Sequence, residues 1–166
     1  QALYLSPVAG PAAMPLVAHA QKLGVPIIVQ TTPTDVGFDG PQPGIAFQTP
    51  NFVAFGEAVG EEVVSCVADK GLGKPEAIML SAPDTLPGTG EIKTAAVGVF
   101  GDSVDVVAEA QVADIATAQT QTEQLLVAHP DAKVVIAYTE EGAFGAVNAY
   151  KVAGKTPECV ILGGGG

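Results

Sequence analysis

An α/β fold with doubly wound parallel sheets is predicted by three observations. Short apolar runs rich in Val and Ile alternate with longer stretches whose apolar residues recur every three to four positions. Gly and Pro punctuate nearly every change from one to the other. The composition is 48% hydrophobic but only 5% aromatic, with Ala and Val dominant. That suits thin strands with Ala-rich helices packed on them.

Taken in order, Ala2–Ser6 is a short apolar run ended by Pro7. Gly10–Leu23 reads as a helix with Leu16, Val17, Ala20 and Leu23 on one face and Gly24 as its stop. Residues 25–30 (VPIIVQ) form a second strand. Residues 31–46 hold Pro33, Pro41 and Pro43 with Gly37, Gly40 and Gly44, and read as a connector. Asn51–Lys70 is a long helix with Phe52, Phe55, Val59, Val63 and Val67 at helical spacing, closed by Gly71 and Gly73. Ala77–Leu80 is a strand, Ser81–Gly90 a loop, Glu91–Phe100 a helix and Val104–Val112 a strand. Asp114 is an N-cap for a helix reaching Ala128. Lys133–Tyr138 is a strand, Glu140–Ala153 a helix stopped by Gly154, and Cys159–Leu162 a last strand. Strands alternating with helices of this length imply parallel pairing with helices on both faces. The connector sets the expected division: residues 1–46 form one part, with one βαβ unit, and residues 47–166 form the other, with four strands and about four helices.

Several function classes are excluded or disfavoured. Seven basic against 18 acidic residues leave a net charge of −11. Phosphate neutralisation needs clustered Lys and Arg, so no nucleic-acid partner is expected for this segment. No apolar run approaches the roughly 20 residues that cross a bilayer. Gln1 opens onto an apolar run without an initiating Met, as expected of a cut or processed chain. No HExxH or Cys/His metal spacing occurs, and His19 and His129 read as surface groups on or near helix ends. No Ser/His/Asp set can be assembled, so no enzyme activity, metal or cofactor is expected. Residues 87–94 (PGTGEIKT) lack the adjacent Gly-Lys of a phosphate loop, because Glu91 and Ile92 intervene. Gly163–Gly166 is a weak match to a dinucleotide loop.

Ligands of open parallel sheets bind beyond the strand carboxyl ends. Those ends carry Ser6 and Pro7, then Gln30, Thr31 and Thr32, then Ser81, Asp84 and Thr85. The later ones carry Gln111, then Thr139, Glu140 and Glu141, then Gly163–Gly166. Hydroxyls, amides and a few carboxylates suit a small polar or cationic ligand. Each also has a structural reading: strand terminus for the Thr pair, turn residue for Asp84, helix-dipole partner for Glu140. Cys66 and Cys159 are either two buried thiols or a disulfide, which would mark an oxidising compartment.

The segment Gln124–Lys155 (QLLVAHPDAKVVIAYTEEGAFGAVNAYKVAGK) resembles the second lobe of ribose- and galactose-type periplasmic binding proteins, a unit shared with repressor effector domains. In that family a helix ending LL-x-x-HPD leads into a strand. A polar pair follows, then a helix with an ALGA-like stretch and a terminal AGK. Residues 3–29 (LYLSPVAGPAAMPLVAHAQKLGVPIIV) resemble its first-lobe unit. The resemblance implies a two-lobed type I fold with an incomplete first lobe, both ends of the family's length being absent. It implies an extracytoplasmic solute-binding component of an ABC-type importer, anchored by lipid or secreted, with the transporter's membrane subunits as partners. The alternative is the effector domain of a repressor-like regulator.

Mapped onto the family's pattern, the ligand positions become Thr31 and Thr32, Thr94, Thr139 and Glu140, and Gly165, to which the strand-end reading adds Asp84 and Thr85. The sugar binders usually carry Asp-Arg where Thr31 and Thr32 stand, and Arg where Thr94 or Ala96 stands. They carry Asn-Asp at Thr139 and Glu140, and Asp at Gly165. Losing those charged forks implies a less charged, roomier pocket for a small polar, sugar-like solute. The same resemblance puts Cys66 in the second lobe's first helix and Cys159 at the start of its last strand. Both then lie away from the cleft, where a bridge is conceivable.

Overall fold

The computed structural model describes residues 2–7 and 10–163. It divides into two compact units. Unit 1 runs to Asn51 and takes in Asp84–Gly88, and unit 2 comprises Phe52–Pro83 and the chain from Thr89 onward.

Unit 1 contains β1 (Leu3–Leu5), α1 (Gly10–Lys22), β2 (Ile27–Val29), a 3₁₀ turn at Thr34–Val36 and β3 (Ile45–Phe47). The three strands form a parallel sheet in that order, with Leu5 beside Val29 and Val29 beside Phe47. Leu3, Leu5, Ile27, Val29, Ile45 and Phe47 turn toward Val17 and Ala20 of α1 and Val36 of the turn. The alternate residues Tyr4, Ile28 and Ala46 face the other way and are exposed.

β3 corrects the reading of residues 31–46 as a connector throughout, and the expected boundary after residue 46 cuts through this strand. Three residues show no periodicity, and Ile45–Phe47 becomes a strand by pairing with β2. Leu16 and Leu23 are also exposed, at 46% and 64%. Successive helical residues lie about 100° apart, so a stripe centred on Val17 and Ala20 leaves Leu16 outside. Leu23 follows the helix's last residue.

Unit 2 contains α2 (Phe52–Asp69), β4 (Glu76–Ser81), α3 (Thr89–Phe100), β5 (Asp105–Gln111), α4 (Ile115–Ala128), β6 (Val134–Ala137), α5 (Glu140–Val152) and β7 (Cys159–Leu162). Its sheet has the order β5-β4-β6-β7, all parallel. β6 is buried along its whole length, and β4 from Ala77 to Ser81. Side chains alternate between two cores. Ala77, Met79, Val134, Ile136, Cys159 and Ile161 meet α2 and α3 on one face. Ile78, Leu80, Val135 and Ala137 meet α4 and α5 on the other. Helices therefore cover both faces, as parallel pairing demands.

The helix pairs approach closely at glycines. A Cβ on Gly60 of α2 would stand 2.6 Å from the Val99 Cβ and 2.8 Å from the Ala96 carbonyl oxygen of α3. A Cβ on Gly145 of α5 would stand 2.4 Å from the Ala118 Cβ of α4. Asp114 caps α4 by accepting the Thr117 N–H at 2.7 Å. Cys66 and Cys159 form a disulfide, joining the last part of α2 to the start of β7.

Two buried phenols complete the cores. The Tyr150 hydroxyl donates to the Ala132 carbonyl at 3.0 Å, and burial pushes its pKa up to about 12. The Tyr138 hydroxyl lies 2.9 Å from the Met79 sulfur. Burial, and then the Glu109 carboxylate, push its pKa well above the ordinary tyrosine value.

Candidate functional site

In unit 2 the chain leaves β4 into α3 on one face of the sheet and leaves β6 into α5 on the other. The carboxyl ends of these adjacent strands form a topological switch point, the place where an open α/β sheet leaves a crevice. The backbone is fully engaged up to that rim: Val112 N–H donates to the Ser81 carbonyl, Tyr138 N–H to Leu80 and Gly163 N–H to Ala137. Side chains beyond those bonds are what the rim offers a ligand.

Thr139 and Glu140 stand at this rim. Thr139 is half-buried and N-caps α5, its hydroxyl oxygen accepting the Gly142 N–H at 3.2 Å. That use of a lone pair leaves the hydroxyl hydrogen to donate. Glu140 and Glu141 are exposed in the first turn, where carboxylates complement the helix dipole. Ser81, at the end of β4, is 8% exposed.

Thr94 lies in a different setting. It is exposed on α3 and lines an open groove of about 440 Å³ with Val53 of α2 and with Gly90, Glu91 and Ala95. Lys93, between Glu91 and Thr94, is ion-paired with Glu109 of β5. Asp84 and Thr85 are exposed in the loop after β4. That loop is held near its ends by the Thr89 hydroxyl, which donates to the Pro83 carbonyl at 3.3 Å.

In unit 1, Thr31 and Thr32 follow β2 and converge on Asp35. Thr31 is fully buried and its hydroxyl donates to the Asp35 carboxylate. Thr32 donates to the same oxygen from its hydroxyl at 2.7 Å and its backbone N–H at 3.1 Å. Burial raises the Asp35 pKa, but these three hydrogen bonds outweigh it and hold the carboxyl below its usual value. Thr31 thus serves the turn, and Thr32, half-buried, is the member of the pair with surface to present. Gly165 lies outside the described residues.

The structure therefore brings together Thr139 and Glu140 near Ser81, Thr94 with Glu91, and Thr31 with Thr32. Sequence reasoning did not select Glu91, Val53 or Asp35. The Thr-x-x-Asp spacing of residues 32–35 is a local turn signal that points to Asp35. Val53 joins the groove only through the packing of α2 on α3. Among the described residues no group of three or more His, Cys, Asp or Glu is placed to hold a metal. No helix among the described residues is long and apolar enough to cross a membrane.

A family model described as periplasmic binding protein domain matches residues 1–166. Among curated proteins no relative matches the chain. Solved structures are similar in fold. An ABC transporter periplasmic solute-binding protein from Actinobacillus succinogenes with bound D-allose superposes with a TM-score of 0.79 at 20% identity, over 96% of this chain and 57% of that one. A Mycobacterium smegmatis protein in complex with β-D-fucofuranose gives 0.80 at 19%, over 97% and 54%. The binding component of the arabinose ABC transporter of a Shewanella species, bound to L-arabinofuranose, gives 0.75 at 17%, over 97% and 54%. The chain spans about half the length of the solved structures it matches.

Proposed function

The chain belongs to the periplasmic binding protein domain family, and from that premise we propose that it is part of an extracytoplasmic solute-binding component of an ABC-type importer. Units 1 and 2 are read as belonging to its two lobes, which close on a small polar, sugar-like solute. The carrying observation is the family match along residues 1–166, combined with hydroxyl and carboxylate side chains at the carboxyl ends of parallel strands. Thr32, Asp84, Thr85, Thr94, Thr139 and Glu140 are the proposed contacts, with Gly165 at the end of the set. Thr31 supports them through Asp35.

The protein works by binding, without turnover. Ligand stabilises the closed arrangement of a hinged pair of lobes, and the closed form is what membrane subunits of the importer recognise. Allose, fucofuranose and arabinofuranose in the similar proteins support a sugar-like ligand. The Cys66–Cys159 disulfide supports an oxidising compartment and favours the importer over a cytoplasmic repressor's effector domain.

A thermal-shift panel on the full-length protein tests the reading. Pentoses, hexoses in both ring forms, polyols and amines are compared, and a selective rise of several degrees is expected for one class. Thr139→Ala should weaken that hit about tenfold or less, the scale of one lost hydrogen bond. Chemical conversion of a panel member, with no reversible binding, overturns the reading.

A further inference from the structure

Helix α2 is held toward its two ends by different means. Toward its carboxyl end, the Cys66–Cys159 bond ties it to the start of β7. Toward its amino end it rests on Gly163, the buried residue that follows β7 and donates its N–H to the Ala137 carbonyl. A Cβ on Gly163 would stand 2.5 Å from Val59 Cγ2 and 3.2 Å from Phe55 Cζ. The other flank of α2 is as tight. A Cβ on Gly56 would stand 2.4 Å from the Ile92 carbonyl oxygen and 2.8 Å from the Ala95 Cβ of α3. Ala95 also lines the groove with Val53 and Thr94. The amino-terminal half of α2 is therefore seated between β7 and α3 with no room for a methyl on either side.

These contacts make α2 a lever. Val59 and Val53 lie about 10 and about 20 Å from Cys66 along the helix axis. A covalent bond at Cys66 cannot slide. A push at Val59 therefore turns the helix about that bond and is roughly doubled at Val53. Carbon atoms rest at about 3.5–4.0 Å from one another. A methyl on Gly163 would thus drive Val59 back by about 1 Å and Val53 by about 2 Å. Val59 has no easy escape. It is 3% exposed, and a β-branched side chain in a helix keeps essentially one rotamer.

We propose that Gly163 is a positioning residue for the groove: it sets the seat of α2 about the disulfide pivot, and so the spacing of Val53 from Thr94 and the fit of a solute there. The inference rests on the reading of the groove as part of the solute site. It gives the glycine and the disulfide a part in binding, although neither is among the groove's lining residues.

Methyl NMR and titration calorimetry on the full-length protein test this, with D-ribose, L-arabinose, D-glucose and D-galactose as probes. In Gly163→Ala the Val53 and Thr94 methyl resonances should shift. The sugar that binds should weaken about tenfold, the scale of one lost hydrogen bond. Adding Val59→Ala to that variant clears the seat and should restore both readouts. A merely destabilising change would not do so, because the second substitution removes more of the core. Cys66→Ser with Cys159→Ser removes the pivot. It should move the same two resonances and weaken the same sugar by a smaller factor, which keeps the test valid if Gly163→Ala folds poorly. Unmoved resonances in either variant, no restoration by Val59→Ala, or an affinity that stays level while the resonances move overturns the proposal, and sugar binding still stands. Silence from all four sugars in the unaltered protein overturns the sugar-like solute instead, and the resonances alone then decide whether Gly163 positions the groove.

Discussion

In unit 2, β6 and nearly all of β4 are buried on both faces, with α2 and α3 on one side and α4 and α5 on the other. In unit 1, the parallel sheet has α1 and a turn on one face, while Tyr4, Ile28 and Ala46 stand in register on an exposed face. The residues of β6 and of Ala77–Leu80 in β4 are no more apolar than those of the unit 1 strands. A continuous run such as Ile78–Leu80 and one such as Ile27–Val29 are alike as sequence, and the layers around them decide how much burial each obtains. With roughly 25 cal/mol per Å² of apolar area removed from water, the doubly covered sheet is the more stabilised. Unit 1 should open first.

The largest effect that sharpens this contrast is the disulfide, which exists only in unit 2 and spans 93 residues. Replacing both cysteines by Ser should cost about 4–5 kcal/mol on the chain-entropy model. It should lower the calorimetric transition of unit 2, and identical melting with and without the bridge would refute that role.

Core truncation follows. Ile136→Ala removes a fully buried side chain and should cost about 2–5 kcal/mol. Ile28→Ala, in the equivalent sheet position of unit 1 but 42% exposed, should cost about 1 kcal/mol or less. Chemical denaturation of the two variants compares them directly, and equal losses would mean that the exposed face of unit 1 is covered in solution.

Helix approach gives a smaller contrast within unit 2. Gly60→Ala sets a methyl against Val99 and the Ala96 carbonyl and should cost about 1–3 kcal/mol. Gly98→Ala, with open space around it, should be neutral or stabilise by up to about 1 kcal/mol. Similar melting temperatures for the two would show that α2 and α3 separate without penalty.

The smallest effect is acid sensitivity of unit 1. Its Asp35 carboxyl lies below the ordinary 3.8 in the native state. Its contribution is therefore present above that value and is lost as the pH falls through the lower native one. Hydrogen exchange near Thr31–Val36 should speed up below about pH 4 in the unaltered protein. Asp35→Asn should remove that acid dependence at a cost of about 1 kcal/mol.

Much of this was legible from residue order. Asp114 announces a cap, Gly71 and Gly154 announce helix stops with φ of 61° and 67°, and Val59, Val63 and Val67 recur at helical spacing and are buried. The candidate site was legible by position, since a strand end is where a strand pattern breaks. What each side chain does there was not. Thr31 and Thr139 look alike as strand-terminal hydroxyls, yet one is sealed against Asp35 and the other caps a half-exposed helix start.

Residue order by itself determined the α/β class, the parallel pairing and the sites of most elements, because those follow from local periodicity and from backbone limits at Gly and Pro. Tertiary structure decided that Ile45–Phe47 is a strand, that Leu16 stays in solvent, that Cys66 meets Cys159, and that Val53 and Glu91 share a groove. Those outcomes depend on contacts between residues distant in the chain, and three-residue patterns or single side chains carry no record of what will pack against them.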